Sequence, residues 1–578
     1  MKKLTSIITF ILFISYTQLF AKDFTISGYV KDKSNGDPLI GANIFIEGTS
    51  IGAAADKKGF YEINGIKAGT YPIKAAYIGY KTFSDTITIA GDEFDIALDF
   101  NLNYTTIEGS EVIVTAQAKG QMDAINRQLN SKSLVNIISS DRIQELPDAN
   151  AAETVARVPG VSIKREGGEG NKVVIRGLSP KYNNITVNGV KLASTDNNDR
   201  STDLSMISQY MLDGIEVIKA GTPDQDADVL GGTVNFLLKK AEPGFHGNII
   251  AQGMYNGLRD TYGDDKIVLD LSQRFWKDRI GFLTQIDLEN RNRSSHEIGA
   301  GYNLYGEQLD SINLLQLTNL NLNDWTRLND RENKLTVIDF NIPNGNISYS
   351  NLNSKINKDI NHHNISYGLS NNYRFLTSSQ GINSITVLTE SWKYEQTLFE
   401  KIHLDAFFSY SRSDNKDKYY DFSFDEPFAY DTSTYNQSIE MVQQIAKNDT
   451  SNMALSRYDY WQNNSSENEQ SIGYNLQYDF RLSNYISGSL KFGNKYRTKK
   501  RSFDRHHEFG NVAAAAGLTE PRDSLISKLG IEGITPDQRR IPLLAFLDEN
   551  YDADNFFKNK YSFGAVADLD MMMQVYDY

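Results

Sequence analysis

From residue 245 onward the chain alternates apolar and polar residues with a period of two, which is the spacing of a β-strand. In one run the apolar members share a face: Ile280, Phe282, Thr284, Ile286 and Leu288. The same alternation recurs in the runs 402–410, 471–480 and 486–492. Strands of about ten residues with one apolar and one polar face are typical of a transmembrane barrel with a wet lumen. A soluble antiparallel sheet with one solvated face fits this alternation equally well.

Connections of two kinds separate these runs. Short turns are predicted at 276–278 and 482–484, whereas the polar stretch 414–466 is long. Short periplasmic turns and long outer loops are expected of an outer-membrane barrel. The chain holds 32 Tyr and 29 Phe but only 4 Trp. Rings at strand ends would form the girdles that mark the two edges of a membrane.

Composition narrows the possible functions. The chain has no cysteine, which excludes disulfides, cysteine-ligated metals and a cysteine nucleophile. Its formal net charge of −14 disfavours a general nucleic-acid binder. Motifs for a serine hydrolase, a zinc peptidase and a phosphate-binding loop are missing from the sequence. The histidines of the pairs 362–363 and 506–507 should point to opposite faces of a strand, which argues against joint metal binding. We predict no enzyme activity, no cofactor and no metal.

The first 21 residues predict a secretory signal peptide. Lys2 and Lys3 precede an apolar run that ends at Phe20, and Ala21 then meets polar residues. The run is short and interrupted by polar side chains, so we favour a signal peptide over a retained membrane anchor. The mature chain is therefore expected outside the cytoplasm.

Residues 22–103 predict a β-sandwich, because short alternating runs at 43–46, 60–63 and 71–75 are separated by turn signals. The segments 28–30, 38–44, 56–61, 69–71 and 79–80 resemble the carboxypeptidase regulatory-like domain. That domain is a non-catalytic module, so the resemblance implies no peptidase.

Seven motifs follow in chain order from residue 133 to 243. They are 141–143, 146–150, 158–161, 173–178, 185–190, 215–219 and 231–235. Together they resemble the plug domain of TonB-dependent outer-membrane receptors. The resemblance implies a compact α/β plug inside a β-barrel. Independently of it, the residues predict a helix at 151–158, strands at 173–176, 185–187, 215–218 and 233–237, and a tight turn at Asn188-Gly189.

The linker 104–132 contains a short β-prone stretch flanked by polar sequence. Its residues are Glu111, Val112, Ile113, Val114, Thr115 and Ala116. Such a strand is a candidate for pairing with another chain, and an ordinary edge strand is the alternative. Beside a plug domain, the stretch matches the TonB box in place and character. The resemblance then implies TonB as its partner, energised through ExbB and ExbD.

The plug resemblance also singles out motif residues and loops. The motif residues are Arg176, Gly177, Asn188, Gly189, Gly231 and Gly232. The two glycines at 231–232 would allow a positive φ or a close backbone approach. Aspartates at 224, 226 and 228 raise a calcium hypothesis, but the EF-hand glycine and glutamate are missing, so we favour a solvated turn. Residues 195–200 are either a ligand-facing apical loop or a plain surface loop.

The predicted fold class is mainly β, with an N-terminal β-sandwich, an α/β plug and part of an antiparallel transmembrane barrel at 244–578. Plugged outer-membrane transporters have about 22 strands, and this segment has room for about half of them. Residues 571–578 do not resemble a closing amphipathic strand. We therefore expect only the N-terminal part of a barrel.

These expectations combine into one function. The chain is predicted to take part in TonB-dependent uptake of a nutrient across the bacterial outer membrane, with its N-terminal domain in the periplasm. Variant plug motifs at 146–150, 193–196 and 220–228 resemble a subgroup associated with oligosaccharide uptake. The expected partners are TonB–ExbB–ExbD, outer-membrane lipids, a small nutrient ligand and, as in Bacteroidetes-type receptors, a SusD-like surface lipoprotein. The alternatives are a non-transporting binding or structural outer-membrane protein and a non-functional fragment.

Overall fold

A computed structural model describes residues 24–103, 128 and 134–577, with internal gaps. The gaps are 34–37, 40, 50, 57–58, 78–79, 91–94, 146–149, 224, 227, 310–311, 400–401, 428, 430–441, 443–449, 484–485, 512–518, 533–539, 553–555 and 559. The chain divides into two compact units, Met1–Ser131 and Lys132–Tyr578. The predicted signal peptide lies outside the described residues, and the finer predicted domain boundaries stay predictions.

The first unit is a sandwich of two sheets. Its strands are β1 Phe24–Asp32, β2 Asn43–Ile46, β3 Gly52–Ala54, β4 Phe60–Ile66, β5 Gly69–Ala76, β6 Phe83–Ile89, β7 Asp95–Ala97 and β8 Phe100–Leu102. One sheet has the order β4-β1-β7, with β8 also on β1, and the other has the order β3-β2-β5-β6. Alternate residues of β1 enter a core that includes Ile44, Tyr61, Ile73 and Phe100. The predicted β-sandwich is confirmed.

The second unit begins with the plug. Its elements are β9 Val135–Ser139, α1 Ser140–Gln144, α2 Ala151–Val155, β10 Val161–Glu166, β11 Glu169–Ile175, β12 Asn183–Val187, β13 Val190–Lys191, β14 Leu212–Ile218 and β15 Gly232–Leu238. Short 3₁₀ turns cover Pro180–Tyr182, Leu204–Met206 and Gln209–Met211. A five-stranded sheet runs β13-β12-β15-β14-β9, with β12 and β15 parallel, and β10 pairs with β11 beside it. The predicted strands are confirmed.

Local chemistry explains two plug elements. The Asn150 side chain accepts hydrogen bonds from the amides of Ala152 and Glu153 and so caps α2. The helix ends three residues before the predicted end, because residues 156–160 turn toward Gly160, whose φ is +77°. Asn188 and Gly189 both have positive φ, +48° and +80°, which is the geometry of the predicted tight hairpin turn.

Ten strands then form one large sheet, here called the wall sheet. They are β16 Phe245–Asn256, β17 Thr261–Phe275, β18 Ile280–Asn292, β19 Ser295–Leu309, β20 Ile312–Ile342, β21 Gly345–Gly368, β22 Tyr373–Leu398, β23 Ile402–Pro427, β24 Ala454–Ser483 and β25 Ile486–Asn511. Neighbours in the chain pair antiparallel, except that β18 and β19 lie end to end along β20. Within the described residues β16 and β25 each have one partner, so this sheet is open. We call the end where β16 begins the near end and the opposite end the far end.

The wall strands are much longer than predicted. They run from 12 residues in β16 to 31 in β20, not about ten. The prediction of a polar loop over 414–466 is wrong, since β23 continues to Pro427 and β24 resumes at Ala454. Residues 411–425 pair with 454–469 in an unbroken ladder apart from one irregularity. Strand pairing satisfies backbone groups in water as well as in lipid, so the ladder continues past the length that a bilayer requires.

The two faces of the wall sheet reverse the usual rule of apolar inside and polar outside. On β24, Ile472 is 56% exposed whereas its neighbour Ser471 is 6% exposed. On β18, Phe282, Ile286 and Leu288 are exposed, and the side chains that alternate with them are buried. The predicted division into an outward apolar and an inward polar face is confirmed for these strands.

After β25 the chain folds against the far end of the wall sheet. This region contains α3 Thr519–Leu529, a 3₁₀ turn at Leu543–Phe546 and α4 Leu569–Tyr576. Residues 540–577, here called the far-end segment, bury Phe546, Phe563 and Met572 against wall residues such as Leu322 and Phe424. Among the residues that the structure describes, no helix has the length and apolarity to cross a membrane.

Candidate functional site

The plug lies against the inner face of the wall sheet through an apolar patch and a set of paired charges. The apolar patch joins the plug core to wall residues Leu283, Leu335, Val337, Leu352, Ile356, Ile385 and Val387. The charged part of the contact is here called the plug–wall seam. Wall side chains in or beside it include buried Gln285, Asp287, Glu289, Arg331 and Glu467. Buried charges are costly unless they are paired or hydrogen-bonded, so their partners define the seam.

Arg331 of β20 is the centre of the seam and is 3% exposed. Its Nη1 lies 2.6 Å from Oε1 of Glu289 on the wall, and its Nη2 pairs with plug residue Glu169. Asn150, the cap of α2, donates to Glu169 at 2.8 Å. Burial alone would raise the pKa of Glu169, but the charges of Arg331 and Arg293 outweigh it, so this pKa lies below its usual value. Glu169 is therefore held as a carboxylate between plug and wall.

A second cation reaches the plug hairpin β10–β11 from the next wall strand. Nζ of Lys358 lies 3.2 Å from Glu166 and 3.5 Å from Asp203. The Lys358 charge outweighs burial and holds the pKa of Glu166 below its usual value. The hairpin tip thus presents two carboxylates to two wall cations, buried Arg331 and partly buried Lys358.

The plug loop 193–203 is held through its backbone. The amide of Ala193 donates to Ser411 at 2.9 Å, and that of Ser194 donates to Glu467 at 2.9 Å. Asn415 donates to the carbonyl of Thr195 at 2.7 Å. Arg501 of β25 donates to the carbonyls of Asp196 and Asp199, each at 2.6 Å. Residues 195–200 therefore lie partly against the wall, with Asn198 and Arg200 exposed. A ligand-facing role for this loop stays a prediction.

The aspartates behind the calcium hypothesis face cations. Asp226 lies 3.0 Å from both Lys495 and Arg497, and Asp228 lies 3.2 Å from Lys191. Asp224 lies outside the described residues. In the described part of the chain, no group of His, Asp or Glu residues is arranged to hold a metal ion. Asp226 and Asp228 join the plug to β25, while Asp228 lies in a turn and stays exposed, as the solvated turn that we favoured predicts.

The histidine pairs separate as the strand geometry predicts. His362 stacks on Trp325 with ring centroids 3.5 Å apart, whereas His363 hydrogen-bonds to Ser378 at 2.9 Å. His507 likewise stacks on Trp461, and His506 bonds to Glu508. Neither pair converges on one point.

The six plug-motif residues fall at ends of plug strands. Arg176 and Gly177 have φ of +56° and +76°, and Arg176 donates to the carbonyl of Lys219 at 2.9 Å. The amide of Gly189 donates to Asn235 at 2.8 Å, and Asn188 accepts from the amide of Leu238 at 3.0 Å. These contacts tie the turn to β15, and a functional role for the residues stays a prediction.

The structure distinguishes between the two reasons predicted for glycine at 231 and 232, a positive φ and a close backbone approach. A Cβ at Gly231 would lie 2.0 Å from Oδ1 of Asn183, and one at Gly232 would lie 2.7 Å from the Ile218 carbonyl. Neither glycine is among those with positive φ. Close approach is therefore the reason for glycine here.

The predicted TonB box, residues 111–116, lies outside the described residues. The charged residues of the seam were missed at the sequence level. Their only signal was their place on the polar face of an alternating strand. Arg331 and Glu169 stand 162 positions apart, and no local pattern joins them.

Two family models match the chain. Residues 26–114 match the CarboxypepD_reg-like domain, and residues 127–233 match the TonB-dependent Receptor Plug Domain. The chain therefore carries the plug domain of TonB-dependent receptors, followed by a large antiparallel sheet. A CarboxypepD_reg-like domain precedes the plug.

Three known proteins illustrate the similarity. The TonB-dependent receptor SusC of Bacteroides thetaiotaomicron is 24% identical over 302 residues, covering 47% of this chain and 28% of SusC. The vitamin B12 transporter BtuB of Vibrio vulnificus is 25% identical over 127 residues, covering 22% of this chain and 20% of BtuB. The siderophore receptor PiuA of Acinetobacter baumannii superposes with a TM-score of 0.31 at 12% identity, covering 65% of this chain and 62% of PiuA. The matches span less than a third of either curated relative.

Proposed function

We propose that the chain serves TonB-dependent active transport of a nutrient across the bacterial outer membrane. The observation that carries the proposal is a plug domain seated on the inner face of its wall, joined to it by paired charges around Arg331 and Lys358 and by apolar packing. The charged groups exchange their partners for water when plug and wall separate, whereas exposing the shared apolar surface costs free energy that a pulling force must supply.

TonB is the proposed source of the pulling force. Residues 111–116 would pair with TonB as an added strand, with main-chain hydrogen bonds supplying affinity. ExbB and ExbD would couple TonB to the proton gradient of the inner membrane. In this proposal the first unit lies in the periplasm, and the exposed apolar face of the wall sheet contacts outer-membrane lipid.

An oligosaccharide is the proposed substrate class. Similarity to SusC favours it, and so do the plug motifs at 193–196 and 220–228. The same similarity favours a SusD-like surface lipoprotein as a partner at the far end. We assign no enzyme activity.

The test is an in-frame deletion of residues 111–116 in the chromosomal gene. We expect growth on the cognate oligosaccharide, found by screening single carbon sources against a complete gene deletion, to fall to the level of that deletion. Because the change lies outside plug and wall, the amount of protein in the outer membrane should stay the same.

The matched control deletes six residues elsewhere in the linker, 118–123, and should retain growth. Transport that survives loss of 111–116 would reject these residues as the TonB contact. Binding of an oligosaccharide without any dependence of growth on the gene would favour a non-transporting surface protein.

A further inference from the structure

Strand β25 carries four cations at alternate positions of the inner face, here called the cation ladder. They are Lys495, Arg497, Lys499 and Arg501. At about 3.4 Å per residue the ladder extends for about 20 Å along the wall. Each of the four contacts a plug residue or a buried wall carboxylate.

The plug adds three cations opposite the ladder. Lys181, Lys191 and Arg200 line a cavity of about 330 Å³ together with Arg497 and Lys499. Among the residues that the structure describes, two carboxylates line the same cavity, those of Asp228 and Glu467. A cavity with a positive excess contrasts with the chain as a whole, whose net charge is −14.

The two carboxylates are already engaged. Asp228 lies 3.2 Å from Lys191 and 3.3 Å from Arg497, and Glu467 lies 2.6 Å from Lys499. Lys181 and Arg200 form no ion pair with any residue that the structure describes. Like charges that converge in a partly enclosed space repel, and this cost is relieved when an anion enters.

An adjoining cavity of about 260 Å³ follows the ladder toward the near end. Amide side chains line it, among them Asn184, Asn188, Asn235, Asn475 and Asn494, and Phe407 supplies a ring. Amides donate to and accept from hydroxyl groups. The two cavities together therefore suit a molecule that carries both hydroxyl groups and an acidic group.

We propose that the cavity between the cation ladder and Lys181, Lys191 and Arg200 binds an oxyanion, a carboxylate or sulfate, and that the transported ligand is an acidic oligosaccharide. This inference rests on the proposed transport function and specifies its substrate. Arginine and lysine form charge-assisted hydrogen bonds with such groups, and the volume lies at the lower end of the range for small-ligand sites.

The test is calorimetric binding to the protein purified from outer membranes in detergent. The probes are a galacturonic-acid tetramer, a sulfated disaccharide, neutral maltotetraose, and inorganic sulfate and phosphate. We expect an acidic sugar to bind, maltotetraose not to bind, and affinity to fall as sodium chloride is raised, because the contact is ionic.

The variant K181Q/R200Q removes the two cations that form no ion pair. It should raise the Kd for the acidic sugar by about tenfold or more. The matched control K164Q/K500Q makes the same charge change at exposed positions, with Lys500 on the opposite face of β25, and should leave the Kd unchanged.

Binding of inorganic anions alone, lost in K181Q/R200Q, would keep the oxyanion site and assign it to a free anion. The inference would be overturned if neither the acidic sugars nor the inorganic anions bound. It would also be overturned if K181Q/R200Q and K164Q/K500Q bound the acidic sugar equally well. If the variants misfold, two measurements on the unmodified protein still test the inference. They are the salt dependence of binding and the comparison of acidic sugars with neutral maltotetraose. Deletion of residues 111–116 should not change calorimetric binding. The growth assay therefore tests the transport proposal, and the binding assay tests the anion site independently of it.

Discussion

Gly231 lies where two plug strands leave no room for a side chain. A methyl group there would meet Oδ1 of Asn183 at 2.0 Å, and the Asn183 amide donates to the Val173 carbonyl at 2.7 Å. Gly231→Ala must therefore displace a side chain that joins β11 to β12. We expect it to destabilise the plug by about 1–3 kcal/mol, measured by thermal unfolding of the purified protein.

Gly253→Ala provides the matched control for this substitution. Gly253 lies on β16, and a Cβ there has no atom within 4 Å. Gly253→Ala should therefore change the melting temperature of the protein little. A plug that tolerates Gly231→Ala equally well would show that Asn183 moves aside freely and that close packing does not explain the glycine.

Glu169 makes the seam sensitive to pH. Its pKa is lowered in the folded protein, so its stabilising contribution is present above the ordinary glutamate pKa of about 4.3 and is lost as pH falls through the lowered value. Glu166 shifts in the same direction. We expect amide hydrogen exchange in 161–175, corrected for its intrinsic pH dependence, to be slow at neutral pH and faster in acid below this range.

Glu169→Gln should weaken plug docking at neutral pH by about 3 kcal/mol, since it leaves Arg331 with one carboxylate partner. The remaining pH dependence of exchange should then be shallower. Glu242→Gln, at an exposed position, is the control and should keep the full dependence. An unchanged pH profile in Glu169→Gln would assign the acid response to other groups.

At the scale of elements, the far-end segment is held against the wall by apolar packing. Phe546 is fully buried, and its ring centroid lies 6.1 Å from that of Phe424 on β23. Phe546→Ala should cost about 3–5 kcal/mol and open this segment to cleavage by chymotrypsin. Proteolysis followed by mass spectrometry identifies the cut sites within 540–577.

Leu544 offers the comparison, because it belongs to the same 3₁₀ turn but is 55% exposed. Leu544→Ala should change stability by no more than about 0.5 kcal/mol. Equal protease sensitivity of the two variants would mean that the packing of the segment does not depend on the Phe424 contact.

Local sequence patterns predict which elements this chain forms and which faces they bury better than they predict the length of those elements. The period-two alternation identifies the faces of β18 and β24, and Asn188-Gly189 identifies the plug hairpin turn. Strand length is not encoded by that pattern. Polar residues of 414–427 alternate on a paired strand as readily as they fill a loop, and only the register with β24 shows which occurs.

The same limit applies to the candidate site. Glu169, Arg331 and Lys358 are charged residues without a local motif, and each partner comes from a distant part of the chain. The sequence predicts that the polar face of the wall lines an interior. It does not predict which carboxylate meets which cation, because that depends on how the plug is seated.

At the scale of the whole molecule, transport as proposed requires the plug to move along the seam. Oγ of Ser465 on β24 donates to Oδ1 of Asn197 in the plug at 2.7 Å. The chain has no cysteine, so the variant N197C/S465C offers a single pair for oxidation. We expect oxidation to reduce uptake to the level seen without residues 111–116, and a reductant to restore it.

The single variants N197C and S465C control for the substitutions and should transport under both conditions. Uptake that persists with the cross-link formed, as judged by gel mobility, would show that this part of the plug stays in place while the ligand passes.

The position of β15 has a consequence for the order in which the protein is made. This strand lies between β12 and β14, so the plug sheet is continuous only once residue 238 has been synthesised. The first wall strand begins at Phe245, a few residues later. The strands of the plug sheet are thus all synthesised before the first wall strand, but the plug core also contains wall residues as late in the chain as Val387. We therefore expect the plug core to close only when strands β18 to β22 have formed, so that plug and wall fold together.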